Sequence, residues 1–477
     1  MAVVLLAAVG IGAALFLHLQ GNIQVQQLNV GLDPSVAPVG DDNHDAIQIL
    51  IMGTDTRSGK DAAYGSTADS GGYGNSDVML LMNLSADRKR VTMVSFPRDL
   101  MVPFPGCKDP NTGNVYPAQP IIQLNSALSM AGPGCTVATI NKLTGMTIDH
   151  FMMADFNAVK DLTTALGGVD VCVDAPVVDP ASGLNLPKGT SSVSGDQALA
   201  FLRTRHAFGD ASDLARIAAQ QSFLASMARK IKTEGTLTNL PKLYSIADII
   251  TQNLTVDPGL ANVSSLITMA GRLKDVDLAK TAFVTVPWTT YAPDPGRVAL
   301  SEPGASQLFS LIRRDGDVTA GATTASATAS GTATGTPGSS APATTTAPPA
   351  QVAYNKAIQP IILSDASGAP TRAQEMLTSL ASFGYTDVRI SNTVAQQPNT
   401  QLLYGANFAD VAQDLAATYH LPADALVSAP AINGVQFIVG QDFASGTDYT
   451  KATVPSDIVA QTAQDPAKCQ AVNNLPR

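Results

Sequence analysis

The chain has 477 residues, a formal net charge of −10 and only 5 % aromatic residues. It is too long for one hydrophobic core, so more than one domain is expected, and its acidic balance argues against nucleic acid as a partner, because nucleic-acid-binding proteins present basic surfaces. Its cysteines, Cys107, Cys135, Cys172 and Cys469, offer no Cys-x-x-Cys spacing for zinc, and an even, low count suits an exported protein with one or two bridges.

Residues 2–19 are almost wholly apolar and uncharged, near the lower length limit of a membrane-spanning helix. A basic start and a small-residue cleavage site are both missing, so residues 1–19 read as an uncleaved single-pass anchor rather than a signal peptide. Residues 20–45, broken by Gly31, Pro34, Pro38 and Gly40, read as a stalk or an edge element. The large domain is expected over residues 46–315. It opens with Ile49-Leu50-Ile51-Met52-Gly53-Thr54-Asp55-Thr56-Arg57, an apolar run that ends in a glycine, an acid and a base. That is the pattern of a buried central strand delivering polar groups to its C-terminal end, where open α/β sheets place their ligands. Residues 78–84, preceded by Asn75-Ser76-Asp77, and residues 91–96, followed by Pro97-Arg98-Asp99, are expected to reach the same edge. Residues 58–75 read as a flexible loop over it, and the charged turn at residues 87–90 as a hairpin.

The proline-rich segment 101–123 carries Cys107, and Cys135 follows it; a bridge between the two would close that loop and add ~2–4 kcal/mol of stability. Cys172, in an apolar strand at 169–173, reads as a buried thiol. Helices are expected over 136–143, 155–166 (stopped by Gly167-Gly168), 213–232, 240–251 and 258–273, with a closing strand at 281–286. Residues 316–351 are Ala, Thr, Ser, Gly and Pro in low complexity, a disordered linker. Residues 352–445 read as a small second α/β domain, with strands at 361–363, 402–404 and 435–439 and helices at 371–383 and 408–418. The tail, 446–477, gives no signal.

Chemistry concentrates at the expected sheet edge. Gly53 to Gly59-Lys60 superficially resembles a phosphate-binding P-loop, but the glycines are one residue too far apart and Asp61 stands where Ser or Thr is needed. A nucleoside triphosphatase is excluded on that ground. Asp55 and Asp77 are each ordinary turn residues alone; together, on neighbouring strand ends, they suit a hard divalent cation that also takes phosphate oxygens. Arg57, Arg98, Arg203 and Arg205 offer guanidinium forks for a phosphorylated ligand. Asp213, Arg216 and Gln220 share one face of the longest helix. His150 has no nucleophile beside it and reads as structural.

Taken in order, these motifs resemble a known family. They are Gly53-Thr54-Asp55-Thr56-Arg57, Asn75-Ser76-Asp77, Ser95-Phe96-Pro97-Arg98-Asp99, Leu124-Asn125-Ser126-Ala127, Ile148-Asp149-His150-Phe151, Leu166-Gly167-Gly168-Val169, Phe201-Leu202-Arg203-Thr204-Arg205 and Asp213 through Gln220-Gln221. The set resembles the LytR-CpsA-Psr family of cell-wall glycopolymer ligases over about residues 46–290. Residues 353–443 resemble the LytR C-terminal domain, and the anchor and linker resemble the actinobacterial branch. One position departs: the family commonly has Arg before the paired glutamines, where Ala219 stands here.

The resemblance implies an α/β fold, an αβα sandwich with a central mixed sheet, followed by a small C-terminal α/β domain. It implies transfer of a phosphorylated glycan from a polyprenyl-pyrophosphate carrier to peptidoglycan, on the extracytoplasmic side of the cell membrane. Asp55 and Asp77 would hold Mg²⁺ or Mn²⁺. Arg57, Arg98, Arg203, Arg205 and Gln220 would bind the pyrophosphate. Arg98, Asp99, Asp213 and Arg216 would form the catalytic group, with Asp99 and Asp213 orienting arginines and one of them deprotonating the acceptor. Such chemistry is mostly positioning and charge neutralisation. The lipid tail calls for an apolar channel, for which Met79–Met82 and Met152–Met153 are candidates. Two other readings share these residues: a polyprenyl-pyrophosphate phosphatase, and a non-catalytic wall-binding or regulatory protein.

Overall fold

The computed structural model describes residues 14–33, 46–56, 72–204, 206–210, 212–233, 240–319, 354–368, 372–391, 397, 399–443, 446–447, 449 and 460–473. The chain divides into two units, residues 1–319 together with 455–477, and residues 320–454. In the first, eight strands form one mixed sheet: β1 (Gln24–Val25), β2 (Ile47–Thr54), β3 (Ser76–Leu84), β4 (Val91–Phe96), β5 (His150–Ala154), β6 (Leu254–Val256), β7 (Thr281–Thr285) and β8 (Gln461–Thr462). Their spatial order is β1-β6-β5-β2-β3-β4-β7-β8.

The continuous apolar run of β2 is explained by its central place. Ile49, Leu50 and Met52 are fully buried, as a strand covered on both faces requires. β2 runs antiparallel to β3 and parallel to β5, and β4 runs antiparallel to β3 and parallel to β7. The C-terminal ends of β2, β4, β5 and β7 therefore meet the start of β3 at one sheet edge. Alternation along β4 sorts its two faces. Val91 and Met93 share a core with Ala225 and with Met269 of the Val263–Leu273 helix. Phe96, on the opposite face, stacks on Phe309 of the Gly304–Arg313 helix with ring centroids 6.2 Å apart. The result is helices on both sides of a mixed sheet.

Three helices bear on the edge: α1 (Phe156–Ala165), α2 (Gly195–Arg203) and α3 (Asp213–Thr233). Asp155 caps α1 by accepting from the Ala158 amide at 2.8 Å. The segment expected as one helix at 258–273 is instead a 3₁₀ turn, Pro258–Leu260, then an α-helix from Val263, because Asp257 and Asn262 each start a new cap. Within residues 20–45, the edge-element reading fits β1; residues 34–45 lie outside the described residues. Of the expected anchor, residues 1–13 also lie outside them, and among the described residues no helix is long and apolar enough to cross a membrane.

A disulfide joins Cys107 to Cys135, with S–S 2.07 Å. Cys172 is not a lone buried thiol: it is bridged to Cys469. The tail that carried no sequence signal belongs to the first unit, where β8 extends the sheet beside β7.

The second unit holds a five-stranded sheet in the order Val388–Ser391, Ile361–Asp365, Val435–Val439, Gln401–Tyr404, Leu426–Ser428. The helices Arg372–Ser382 and Ala409–Tyr419 bury Met376, Leu380, Leu415 and Tyr419 against Phe437.

Candidate functional site

At the edge the β2–β3 register slips between Gly53 and Thr54, and Thr54 pairs with Ser76. Asp55 and Asn75 then face each other. The Asp55 amide donates to the Asn75 carbonyl at 3.1 Å, and the Asn75 amide donates to Asp55 Oδ1 at 2.7 Å. Gly74 turns the chain into this pairing at φ +70°, and a Cβ there would lie 2.6 Å from the Thr56 nitrogen and 2.9 Å from Asp55 Oδ1. Asp77 is the second residue of β3, so the hairpin brings it beside the residues that follow β4.

Arg98 occupies that position and is surrounded by acids. Its Nη1 donates to Asp77 Oδ1 at 2.8 Å, while its Nε lies 3.4 Å from Asp99 and 3.5 Å from Asp213. Burial acts to lower the Arg98 pKa, but Asp77, Asp99 and Asp213 outweigh it and raise it, so the guanidinium stays charged. Asp213 opens α3. It accepts from the Arg98 backbone amide at 3.3 Å and pairs with Arg216 one turn on. Burial raises the Asp213 pKa above the ordinary carboxylate value, although Arg216 and Arg98 oppose the shift. Asp99 is tied down by Gln123 Nε2 at 2.5 Å and by Arg297 Nη1 at 2.9 Å.

A cavity of about 290 Å³ opens at this edge, with Asp55, Asp77, Arg203, Arg216 and Gln220 in its wall. Arg203 stacks over Phe156 at 4.6 Å, a cation–π geometry. The remaining wall is largely apolar, with Val78, Phe156, Val159, Leu199 and Leu202. The cavity lining thus mixes charged groups with apolar side chains. Met79 and Met82 are core residues, and Met152 packs on the same core. None of the methionines proposed for a lipid channel lines the cavity; strands alternate, so Val78 reaches it and Met79 turns away.

Of the residues singled out from sequence, the structure brings together Asp55, Asp77, Arg98, Asp99, Arg203, Asp213, Arg216 and Gln220. Arg98, Asp99 and Asp213 stand beside these lining residues and do not line the cavity themselves. Arg57 and Arg205 lie outside the described residues. His150 begins β5, at the end away from the site, with Nδ1 3.1 Å from the buried Asp257; it is a structural pair. Sequence reasoning missed Arg297, Gln123, and Asp179, whose carboxylate accepts from the Thr204 hydroxyl at 2.6 Å beside Arg203. Only a Pro-Gly turn at 295–296 marked Arg297, and nothing local marked the other two.

Among the described residues no group of three or more His, Cys, Asp or Glu side chains is placed to hold a metal. Two carboxylates in one cavity wall, Asp55 and Asp77, nevertheless form the donor set that Mg²⁺ uses when phosphate oxygens and water complete its shell. The residues present fit such an ion.

Residues 19–302 match the model of the LytR_cpsA_psr family, and residues 360–443 match that of the LytR cell envelope-related transcriptional attenuator. The cell wall biosynthesis protein LcpA of Corynebacterium glutamicum is 30 % identical over 269 residues, spanning 51 % of this chain and 50 % of its own. The polyisoprenyl-teichoic acid–peptidoglycan teichoic acid transferase TagT of Bacillus subtilis is 29 % identical over 288 residues, 58 % of this chain and 81 % of its own. The chain matches 50 % and 60 % of the lengths of LcpA and of the probable cell wall biosynthesis protein LcpB from C. glutamicum. Among solved structures, the LytR-Csp2A-Psr enzyme from Actinomyces oris is 21 % identical with a TM-score of 0.43, covering 62 % of this chain and 96 % of its own.

Proposed function

For a chain that belongs to the LytR_cpsA_psr family, we propose that the sheet-edge cavity transfers a phosphorylated glycan from a polyprenyl-pyrophosphate carrier to peptidoglycan. The observation that carries this is the mixed lining of the cavity. Arg203, Arg216 and Gln220 stand in the same wall as Phe156, Val159 and Leu202, which suits a pyrophosphate joined to a hydrocarbon chain. TagT, by its name a transferase of teichoic acid to peptidoglycan, is of the same class.

In this reading an acceptor hydroxyl of peptidoglycan attacks the glycan-bearing phosphorus. The new O–P bond replaces the bridging P–O bond, and polyprenyl phosphate leaves. Arg203, Arg216 and Gln220, with Arg57 and Arg205, bind the pyrophosphate. Arg98, held by Asp77 and Asp213, acts from outside the lining: it fixes Asp77 and adds positive charge near the phosphoryl oxygens, an electrostatic contribution of the kind that dominates such reactions. Asp213 takes the acceptor proton; burial gives it a raised proton affinity. Asp99, braced by Arg297 and Gln123, orients Arg98. Asp55 and Asp77 are the residues that would hold Mg²⁺ or Mn²⁺, which neutralises phosphate charge when bound. We place the domain outside the cytoplasm, anchored by the N-terminal segment, because two disulfides belong to an oxidising compartment.

The test uses the whole chain with a labelled polyprenyl-pyrophosphate glycan, Mg²⁺ and peptidoglycan, beside Arg98→Ala. Label should enter peptidoglycan with the parent and fall by ~10²–10³ in the variant, the usual loss of one preorganised donor. Free phosphorylated glycan, released at a rate indifferent to peptidoglycan, would replace the ligase with a phosphatase. Carrier binding with no product would leave a binding protein.

A further inference from the structure

We infer that the C-terminal tail, residues 460–473, is a positioning strap for the cavity: it fixes the Ala207–Gly209 segment and, through it, Arg203 and Asp213 on either side. This rests on the reading of the cavity as a pyrophosphate site. The tail inserts as a short strand between two pieces of backbone. On one side the Gly209 amide donates to the Ala471 carbonyl, and the Asn473 amide to the Ala207 carbonyl, each at 2.8 Å. Phe208 and Val472 pair antiparallel between them. On the other side Gln470 donates to the Cys172 carbonyl at 2.8 Å, Asp174 donates to the Gln470 carbonyl at 3.1 Å, and the Val472 amide donates to Asp174 Oδ1 at 2.8 Å.

Two further anchors hold the tail itself. The Cys172–Cys469 bridge pins it one residue before this strand. Upstream, β8 pairs with β7, and Arg229 Nη1 donates to the Ala463 carbonyl at 2.9 Å. The strapped segment has reason to need this. Ala207 and Phe208 are buried at 1 % and 3 % exposure yet lie outside every helix and sheet strand, so their backbone groups must find partners elsewhere. Gly209, at φ +54°, makes the turn toward α3. The segment directly follows His206, in the cavity wall, and leads into Asp213, which holds Arg98. A displacement of the segment therefore moves His206 in the cavity wall at one end and Asp213, the partner of Arg98, at the other.

The test compares the full chain with two variants: a chain ending at Val454, and full-length Asp174→Ala combined with Cys469→Ser. Hydrogen exchange of the Ala207–Gly209 and α3 N-terminal amides reads the strap without any ligand. Affinity for inorganic pyrophosphate, measured where all three proteins are folded, reads positioning. Exchange in those amides should rise while the Cys107–Cys135 region is unchanged, and pyrophosphate affinity should fall roughly ten- to a hundred-fold, the scale of an ångström misplacement at a charged site. Unchanged exchange would overturn the strap outright. Raised exchange with parental affinity would reduce it to a stabilising staple and overturn the positioning role. If the parent itself binds no pyrophosphate, the proposed function fails, and the exchange arm alone still decides whether the tail holds the segment.

Discussion

Asp213 has to answer two guanidinium groups and a backbone amide while largely removed from water. Burial wins, and its pKa lies above the ordinary value despite both arginines. A carboxyl whose folded pKa exceeds its unfolded one binds protons more tightly when folded. Its contribution to stability is therefore present at low pH and is lost as pH rises through the folded pKa. Asp213→Asn, which mimics the protonated form, should keep or raise the melting temperature at neutral pH, and the advantage should vanish toward the acid end of the carboxylate range. Transfer should nevertheless fall by ~10²-fold or more, because the proton acceptor and the partner of Arg98 are both gone. Thermal melts against pH beside the transfer assay check this; a neutral-pH melting temperature below the parent's would mean that the ion pairs outweigh burial. Asp55 and Asp77 make a separate prediction. Asp77→Asn should raise the Mg²⁺ concentration for half-maximal transfer by ~10-fold or more, given that even outer partners of a metal are worth that much. A Mg²⁺ titration unchanged in the variant would remove Asp77 from the ion.

At the scale of the element, Ala219, where the resemblance expects Arg, does not line the cavity. On α3, Arg216 and Gln220 lie one turn apart and face the cavity, as i, i+4 residues do. Ala219 is fully buried in the cluster that holds Phe201 and Phe223. Ala219→Arg should therefore destabilise by ~1–3 kcal/mol from overpacking alone, and leave the transfer rate of the folded protein no higher; a faster enzyme with parental stability would show that position 219 does reach phosphate. The strands and long helices were readable because apolar periodicity is local: β2, β3, β4 and α3 all declare themselves within a few residues. The acids and arginines at their ends were readable for the same reason, since a strand end fixes where its next residue goes. Arg297 could not be read this way. It reaches Asp99 from 198 positions away, on a turn whose sequence says only that the chain bends. Asp179 is similar: it opens the turn Asp179-Pro180-Ala181-Ser182-Gly183, which signals a bend and not a site, and only the fold brings it to Thr204. The methionine channel misled because both faces of the sheet are core: Met79 lies on the face opposite Val78, and Met82 shares Val78's face but sits further along the strand from the edge.

At the scale of the whole molecule, the first unit is built from residues on both sides of the second in chain order. A two-residue strand and a bridge spanning 297 residues leave no periodic trace, so the tail's membership of the first unit was invisible to sequence. It changes what a domain deletion should do. The second unit has its own sheet and core, and among the described residues none of 320–454 contributes a strand to the first unit's sheet. Replacing residues 320–454 by a flexible linker long enough to rejoin Thr319 to Pro455 should leave the Cys172–Cys469 bridge formed, the first unit folded, and pyrophosphate binding within about threefold of the parent, as expected of independent sites, because each unit has its own core. A chain simply stopped at Thr319 removes the same domain and the strap as well, and should lose the binding. Intact mass under non-reducing conditions reports the bridge, and calorimetry reports the two affinities. Equal loss in both variants would mean that the second unit, not the tail, supports the site. Equal retention would mean that neither does, and that the edge residues of β2, β3 and β4 suffice to bind the pyrophosphate.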